Sequence, residues 1–343
     1  MEWLVDPQFI LLIVIISMAL IFDYINGFHD AANAIATVVA TRVMTPKAAV
    51  LFGAIFNLLG ALMGTEVAAT MGKGIVEADL INLETILCAL IGAIVWNLIT
   101  WWKGLPSSSS HALIGSLMGA ACFWVGSFGE NVVHWHKVID KVIIPMFSSP
   151  LIGFTVGYVL MTLLTWMVYK LSVNRINSVF GKLQIVSAGA MALSHGMNDA
   201  QKSMGIIALA IILYKGVPAS EFHVGLEIVI PCAVAIGLGT LSGGWKIIRT
   251  LGSKMIKLQP IHGFAAEVTS FSIIMLASQW GIPLSTTHAI TSTIMGVGAT
   301  RRLSAVKWSL VGSILWAWVL TIPVTFFLSG FIALAYKWVQ AQL

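Results

Sequence analysis

The chain has 343 residues, 58% of them hydrophobic and only 10% charged, with a net charge of +5, a pI near 9.1 and a mean hydropathy of +0.92. A soluble domain carries about a quarter Asp, Glu, Lys and Arg, so this composition excludes one. The basic excess is confined to loops and does not point to nucleic acid.

Stretches free of Asp, Glu, Lys, Arg and His recur at 48–65, 85–102, 112–129, 142–169, 228–245, 268–287 and 308–336. Each crosses or nearly crosses the roughly 30 Å hydrocarbon layer as a helix. The expected class is an all-α polytopic membrane protein. The acidic start (Glu2, Asp6) argues against a removable signal peptide. The first apolar segment, 7–41, carries Asp23, Asn26, His29, Asp30 and Asn33. Segment 48–65 follows, then two arms near 85–102 and 112–129 flanking "GLPSSSSHALIGS" (104–116), then 142–169. After a basic connection, 170–182, segment 183–214 carries His195, Asn198, Asp199, Gln201 and Lys202. Segment 228–245, arms near 264–280 and 289–300 flanking "GIPLSTTHAITST" (281–293), and 308–336 complete the chain. Cys88, Cys122 and Cys232 lie scattered in apolar segments and read as small packing residues.

Four loops, 42–47, 170–182, 246–257 and 301–307, hold twelve Lys or Arg and no Asp or Glu. The positive-inside bias puts them in the cytoplasm and the acidic loops 66–84, 130–141 and 215–227 outside. Both termini are then outside, on a multi-pass protein of the cell membrane. Corresponding segments of the two halves run in opposite directions. The expected organisation is a first inverted repeat over 1–169, a cytoplasmic linker over 170–182 and a second repeat over 183–343.

Two motifs recur in the same order: "NGFHDAANA" (26–34) with "GLPSSSSH" (104–111), and "HGMNDAQKS" (195–203) with "GIPLSTTH" (281–288). Asp30 matches Asp199, Ser108 to Ser110 match Ser285 to Thr287, and His111 matches His288. Paired, Gly- or Pro-interrupted segments in inverted halves are the sequence pointer to a transporter site near the bilayer midplane. A Pro after a Gly-x pair breaks a helix and a following Ser or Thr caps the next one. The new helix start offers free N–H groups, hydroxyls and the positive end of its dipole, which together make an anion site without arginine. Each half is therefore expected to hold a broken helix and a re-entrant helical hairpin, with the hairpin tips meeting from opposite sides and Asp30 and Asp199 in the broken helices. An ionisable residue at the bilayer centre costs at least ~2.5–3.5 kcal/mol if it faces lipid, so Asp30, Asp199, Lys202 and Glu267 must face an interior. Asn26, Asp30 and Asn33 share a helix face at i, i+4, i+7 and suit a hard monovalent cation or a proton relay. His111 and His288 read as residues that orient the turns, Lys202 as a neutraliser of Asp199, and "HWH" (134–136) as an outer-loop coincidence.

At these residues the sequence resembles the inorganic phosphate transporter (PiT) family, over nearly the whole chain and in a compact bacterial form. The resemblance implies two inverted repeats, symport of inorganic phosphate with a cation, a homodimer, and no cofactor beyond the co-transported H+ or Na+. It implies phosphate contacts at Ser108, Ser109, Ser110, Ser285, Thr286, Thr287 and Asn33. Coupling-ion roles fall to Asp30, Asn198, Asp199, His29 and Asn26, with Na+ at Asp30, Asn33 and Asp199 as the alternative. The first motif reads Gly27-Phe28-His29-Asp30, with His where sodium-coupled relatives have Asn. Histidine exchanges a proton near neutral pH, so H+ is favoured. Moving one charge through 100 mV is worth ~2.3 kcal/mol, so importing a dianion against an inside-negative potential requires accompanying cations. The competing readings are a sulfate permease, an intramembrane serine hydrolase, weakened by the lack of G-x-S-x-G, and an anion channel.

Overall fold

A computed structural model describes residues 6–342; the acidic Glu2 of the start lies outside the described residues. Among them the chain is helical, with a single isolated β-bridge joining Val76 to Val133. In the first half, α1 (Pro7–Ala40) is followed by α2 (Pro46–Ala61) and α3 (Glu66–Lys73), bent 71° from one another. Then come α4 (Leu83–Lys103), α5 (Ser109–Val125) and α6 (Trp135–Val168). The second half repeats the order. A long α7 (Val173–Lys215) precedes α8 (Leu226–Ser242) and α9 (Trp245–Lys254), bent by 59°. The hairpin α10 (Pro260–Gln279) and α11 (Thr286–Ala299) and a long α12 (Trp308–Gln340) complete it.

Local chemistry sets these boundaries. Pro7 and Pro46 open α1 and α2 at the first turn, where a missing N–H costs nothing, behind the caps Asp6 and Thr45. Gly104 (φ 66°) and Gly281 (φ 63°) take the left-handed conformation that ends the first arm of each hairpin. The return arms are 17 and 14 residues long, shorter than the roughly 20 residues that span a bilayer.

The outer surface is apolar, with Leu51, Leu151, Trp316 and Phe331 exposed, whereas Asp30, Asp199, Lys202 and Glu267 are buried. That inside-out distribution is what a lipid solvent selects. The apolar core forms two clusters. On α1 the chain passes from the first (Ile15, Phe22, Ile25) to the second (Ile35, Val38), and on α7 from the second (Ala188, Met191) to the first (Ile206, Leu209). The matched helices thus run in opposite directions, and the polar motifs sit between the clusters on both. The halves also interlock. α2 packs on α7 and α1 on α8, while α5 packs on α12 and α11 on α6.

Two details depart from the sequence expectation. The Asp-bearing helices α1 and α7 are continuous, and the bend of each half falls in the following pair. The small residues of the motifs serve close packing instead of a break. A Cβ on Gly27 would sit 2.9 Å from Gly239 Cα of α8, and one on Gly196 would strike the Asn57 carbonyl of α2. Furthermore, α7 begins at Val173, so most of the basic 170–182 segment is helix and only residues 169–172 turn the chain.

Candidate functional site

Each hairpin tip starts a helix in the same way. Ser108 and Ser285 are the N-caps, their hydroxyls accepting from the amides of His111 and His288 at 3.2 Å. This turns the next two side chains, Ser109–Ser110 and Thr286–Thr287, away from the helix axis toward α1 and α7, beside amides that have no partner within the helix. The tips touch: Ser110 Oγ donates to the Leu284 carbonyl at 3.3 Å, and the His111 and His288 rings meet edge to face at 4.9 Å.

The hydroxyls converge on the two aspartates. Ser109 Oγ donates to Asp30 Oδ2 (3.1 Å) and, from the other hairpin, Thr287 Oγ1 donates to Asp30 Oδ1 (3.3 Å). Thr286 Oγ1 donates to Asp199 Oδ2 at 3.1 Å. Asn33 joins the halves, its amide N–H groups reaching Thr287 Oγ1 (2.9 Å) and Thr286 Oγ1 (3.3 Å). Asp30, His195 and Asp199 bring carboxylate and ring atoms within 4.8 Å of one another, all three buried.

Each carboxylate continues into a polar chain. His29 Nδ1 lies 2.7 Å from Asp30 Oδ1, and its Nε2 lies 3.0 Å from Thr100 Oγ1, which accepts from Ser107 at 2.9 Å. In the second half, Lys202 donates to Asp199 Oδ1 and to the Leu284 carbonyl (3.1 Å). His195 Nε2 is 3.1 Å from Asp199 Oδ2, close enough for an ion pair but off the direction of a hydrogen bond. Its Nδ1 meets Asn57 Oδ1 at 2.9 Å, and Asn57 donates to Thr240 at 2.7 Å. Asn198, matching His29, donates to Ser278 on the hairpin arm at 2.7 Å.

Outside the carboxylates, the short helix of each bent pair props the opposite tip. Thr70 of α3 donates to the Gly281 carbonyl (2.7 Å) and Thr250 of α9 to the Gly104 carbonyl (3.1 Å).

A sequence profile of the phosphate transporter family matches residues 26–329, from the first Asp motif to the last helix. The chain belongs to the phosphate transporter family. It is 47% identical over 324 residues to the probable low-affinity inorganic phosphate transporter of Rhizobium meliloti (strain 1021), covering 94% of this chain and 95% of that one. It is 43% identical over 322 residues to the protein of the same description from Bacillus subtilis (strain 168), covering 93% and 95%. A solved structure described as the sodium-dependent phosphate transporter superposes with a TM-score of 0.87 at 25% identity, over 96% of this chain and 99% of that one. The family consists of transporters, not enzymes, and this member is a multi-pass membrane protein.

Within this family member, the structure brings together Asp30, His29, Asn33, Asp199 and the hydroxyls of Ser109, Thr286 and Thr287. Asn198 of α7 is tied to the hairpin arm through Ser278, and Ser108 and Ser285 are held as caps. Asn26 is buried, but neither amide atom finds a protein partner. Glu267 forms a separate cluster, taking hydrogen bonds from Thr37, Ser187 and Gln184. His134 and His136 pair with the loop acids Glu77 and Glu130. Sequence reasoning missed Thr100, Asn57 and Thr240, which carry no motif. It also missed Trp318 of α12, which donates to the Pro106 carbonyl (3.0 Å) and stacks on His288 at 3.9 Å, bracing both tips.

Proposed function

We propose that this protein imports inorganic phosphate by symport with a cation, with H+ as the coupling ion. The observation that carries the reading is the convergence of two hydroxyl-bearing helix starts, one from each hairpin, on a buried pair of carboxylates. Helix starts and hydroxyls are donors that suit a phosphate oxyanion. The carboxylates are acceptor-only when ionised and provide what a protonated oxygen of phosphate needs.

Charge then dictates coupling. Two carboxylates and one ammonium leave the site at −1, and a phosphate dianion would bring it to −3 in a dry interior, so positive charge must come with the substrate. His29 stands 2.7 Å from Asp30, where it can pass a proton. A proton on one oxygen of Asp30 removes the acceptor of either Ser109 or Thr287, whose hydroxyl hydrogen then turns to phosphate. Proton and phosphate binding thereby favour each other. The tips held by Thr70 and Thr250 are the elements that give way when the site opens to either side. The loops rich in Lys and Arg lie on the cytoplasmic face and both termini outside, by the positive-inside bias.

A second reading, Na+ coupling, is favoured by one observation: Asn33 Oδ1 is buried without a partner near Asp30, an oxygen pair suited to a monovalent cation. The similar solved structure is described as sodium-dependent. Radiolabelled phosphate uptake into proteoliposomes, with pH and Na+ gradients imposed separately, decides between them. The H+ reading expects accumulation under an inward proton gradient in sodium-free buffer; accumulation under a Na+ gradient alone replaces it with the second reading.

A further inference from the structure

The motifs in register place His195 on Asn26, Asn198 on His29, Asp199 on Asp30 and Lys202 on Asn33. The last of these correspondences changes the charge of one half-site. Around Asp30 the partners are His29, Ser109 and Thr287, none with a fixed positive charge, and Asn33 keeps its amide oxygen buried without a partner. Around Asp199 the residue in the Asn33 position is a lysine. Its side chain is fully buried, and its ammonium is held between the Asp199 carboxylate and the Leu284 carbonyl at the hairpin tip (3.1 Å). Carboxylate, carbonyl and amide oxygens are the ligands that hard cations take. The ammonium therefore sits in an oxygen-lined place equivalent to the one that Asp30 and Asn33 offer with no resident charge.

We propose that Lys202 is the resident cation of the second half-site: its ammonium, tethered to α7, fills beside Asp199 the place that an exchangeable cation fills beside Asp30. This inference rests on the reading of the site as one for phosphate and a coupling cation. A tethered charge helps to bind phosphate facing either side of the membrane but returns with the empty carrier. It therefore adds to the electrostatics of binding and not to the cations carried per phosphate. With Lys202 at one carboxylate and His29 supplying a proton at the other, the chain has no requirement for Na+. A lysine that merely neutralised Asp199 for the sake of folding would look the same at rest. The two roles differ in what happens when it is replaced by the residue of the other half.

Lys202→Asn recreates at Asp199 the oxygen set of Asp30 and Asn33. Phosphate uptake by wild-type and K202N proteoliposomes is measured under the same inward proton gradient, in choline and in sodium buffer. Wild-type uptake is expected to be equal in the two. K202N is expected to fall about tenfold in choline and to recover in sodium, within the 5- to 150-fold range of coupled ligands. A folded K202N that is equally active in both buffers, or equally inactive in both, overturns the proposal. Should K202N not fold, phosphate affinity of the purified wild-type protein answers instead. An affinity equal in choline and sodium supports the resident cation, and one that tightens about tenfold with sodium overturns it. The parent reading fails differently, by the wild-type protein showing no gradient-driven phosphate uptake at all.

Discussion

The two halves of this transporter share a backbone frame almost element for element, yet their sites differ in charge. Both tips use a serine cap, a hydroxyl pair and a left-handed glycine, and both are propped by a threonine from the opposite bent pair. The carboxylates they serve have different company. Each has a histidine beside it, but Asp30 has no fixed positive charge, whereas Asp199 is also bound to Lys202. The bracing is also one-sided, since Trp318 of α12 secures both tips. Glu267 stands in the middle of α10, while α4 carries its one carboxylate, Glu84, in the first turn. The repeat supplies a pair of helix starts facing each other; under the proposal, divergence of a few side chains leaves the exchangeable cation to one half and the permanent charge to the other.

The largest expected effect comes from removing either carboxylate. Asp30→Asn and Asp199→Asn should both abolish uptake against a phosphate gradient, and a variant that still accumulates phosphate removes that residue from the coupling role. Stability should separate the two. Asp199→Asn strands a buried ammonium and is expected to cost about 3–5 kcal/mol. Asp30→Asn loses only hydrogen bonds, at about 1–3 kcal/mol. Equal losses in thermal denaturation would break the proposed asymmetry.

Next is anion choice. HPO₄²⁻ carries a proton that SO₄²⁻ lacks, and in the proposed site Asp30 or Asp199 accepts it. Sites built to bond a substrate OH reject analogues without it by factors of up to ~10⁴. Sulfate should therefore fail to displace labelled phosphate from the purified protein; displacement at similar concentrations would make the sulfate-permease reading the better one.

A smaller effect sharpens the role of His29. His29→Asn gives the first half the residue that the second half has at Asn198. Proton-driven uptake should fall about tenfold, with phosphate binding retained, because a general acid–base group contributes at least that much where a proton moves. An unaltered pH profile of initial rates would show that His29 only positions Asp30.

Much of this was legible in the sequence because lipid is a strict solvent. Long uncharged runs had to be helices, and Asp30, Asp199, Lys202 and Glu267 had to be interior. The repeated Gly-x-Pro-hydroxyl clusters announced two helix starts because caps are local chemistry. What stayed hidden depends on packing between distant segments. The continuity of α1 and α7 could not be read from Gly27 and Gly196, since a glycine that breaks a helix and one that lets another helix approach look alike. The bends after Ala61 and Ser242 fall where the glycines Gly64 and Gly243 take positive φ, a signal present but weaker than the motifs. Asn57, Thr100, Thr240 and Trp318 meet the site across 71 to 212 residues of chain, and no spacing rule connects them to it.

The central claim is that phosphate is held between the two tips by hydroxyls from both halves, and the most direct measurement of it is phosphate affinity in Ser109→Ala, Thr286→Ala and the double variant. Losing one hydrogen bond to a charged ligand costs about 1.5–3 kcal/mol, roughly a 10- to 150-fold weakening. Each single variant should show that loss with its fold intact, and the double variant a larger one. Unchanged affinity in both single variants would contradict the account, because it would place phosphate somewhere other than between the tips.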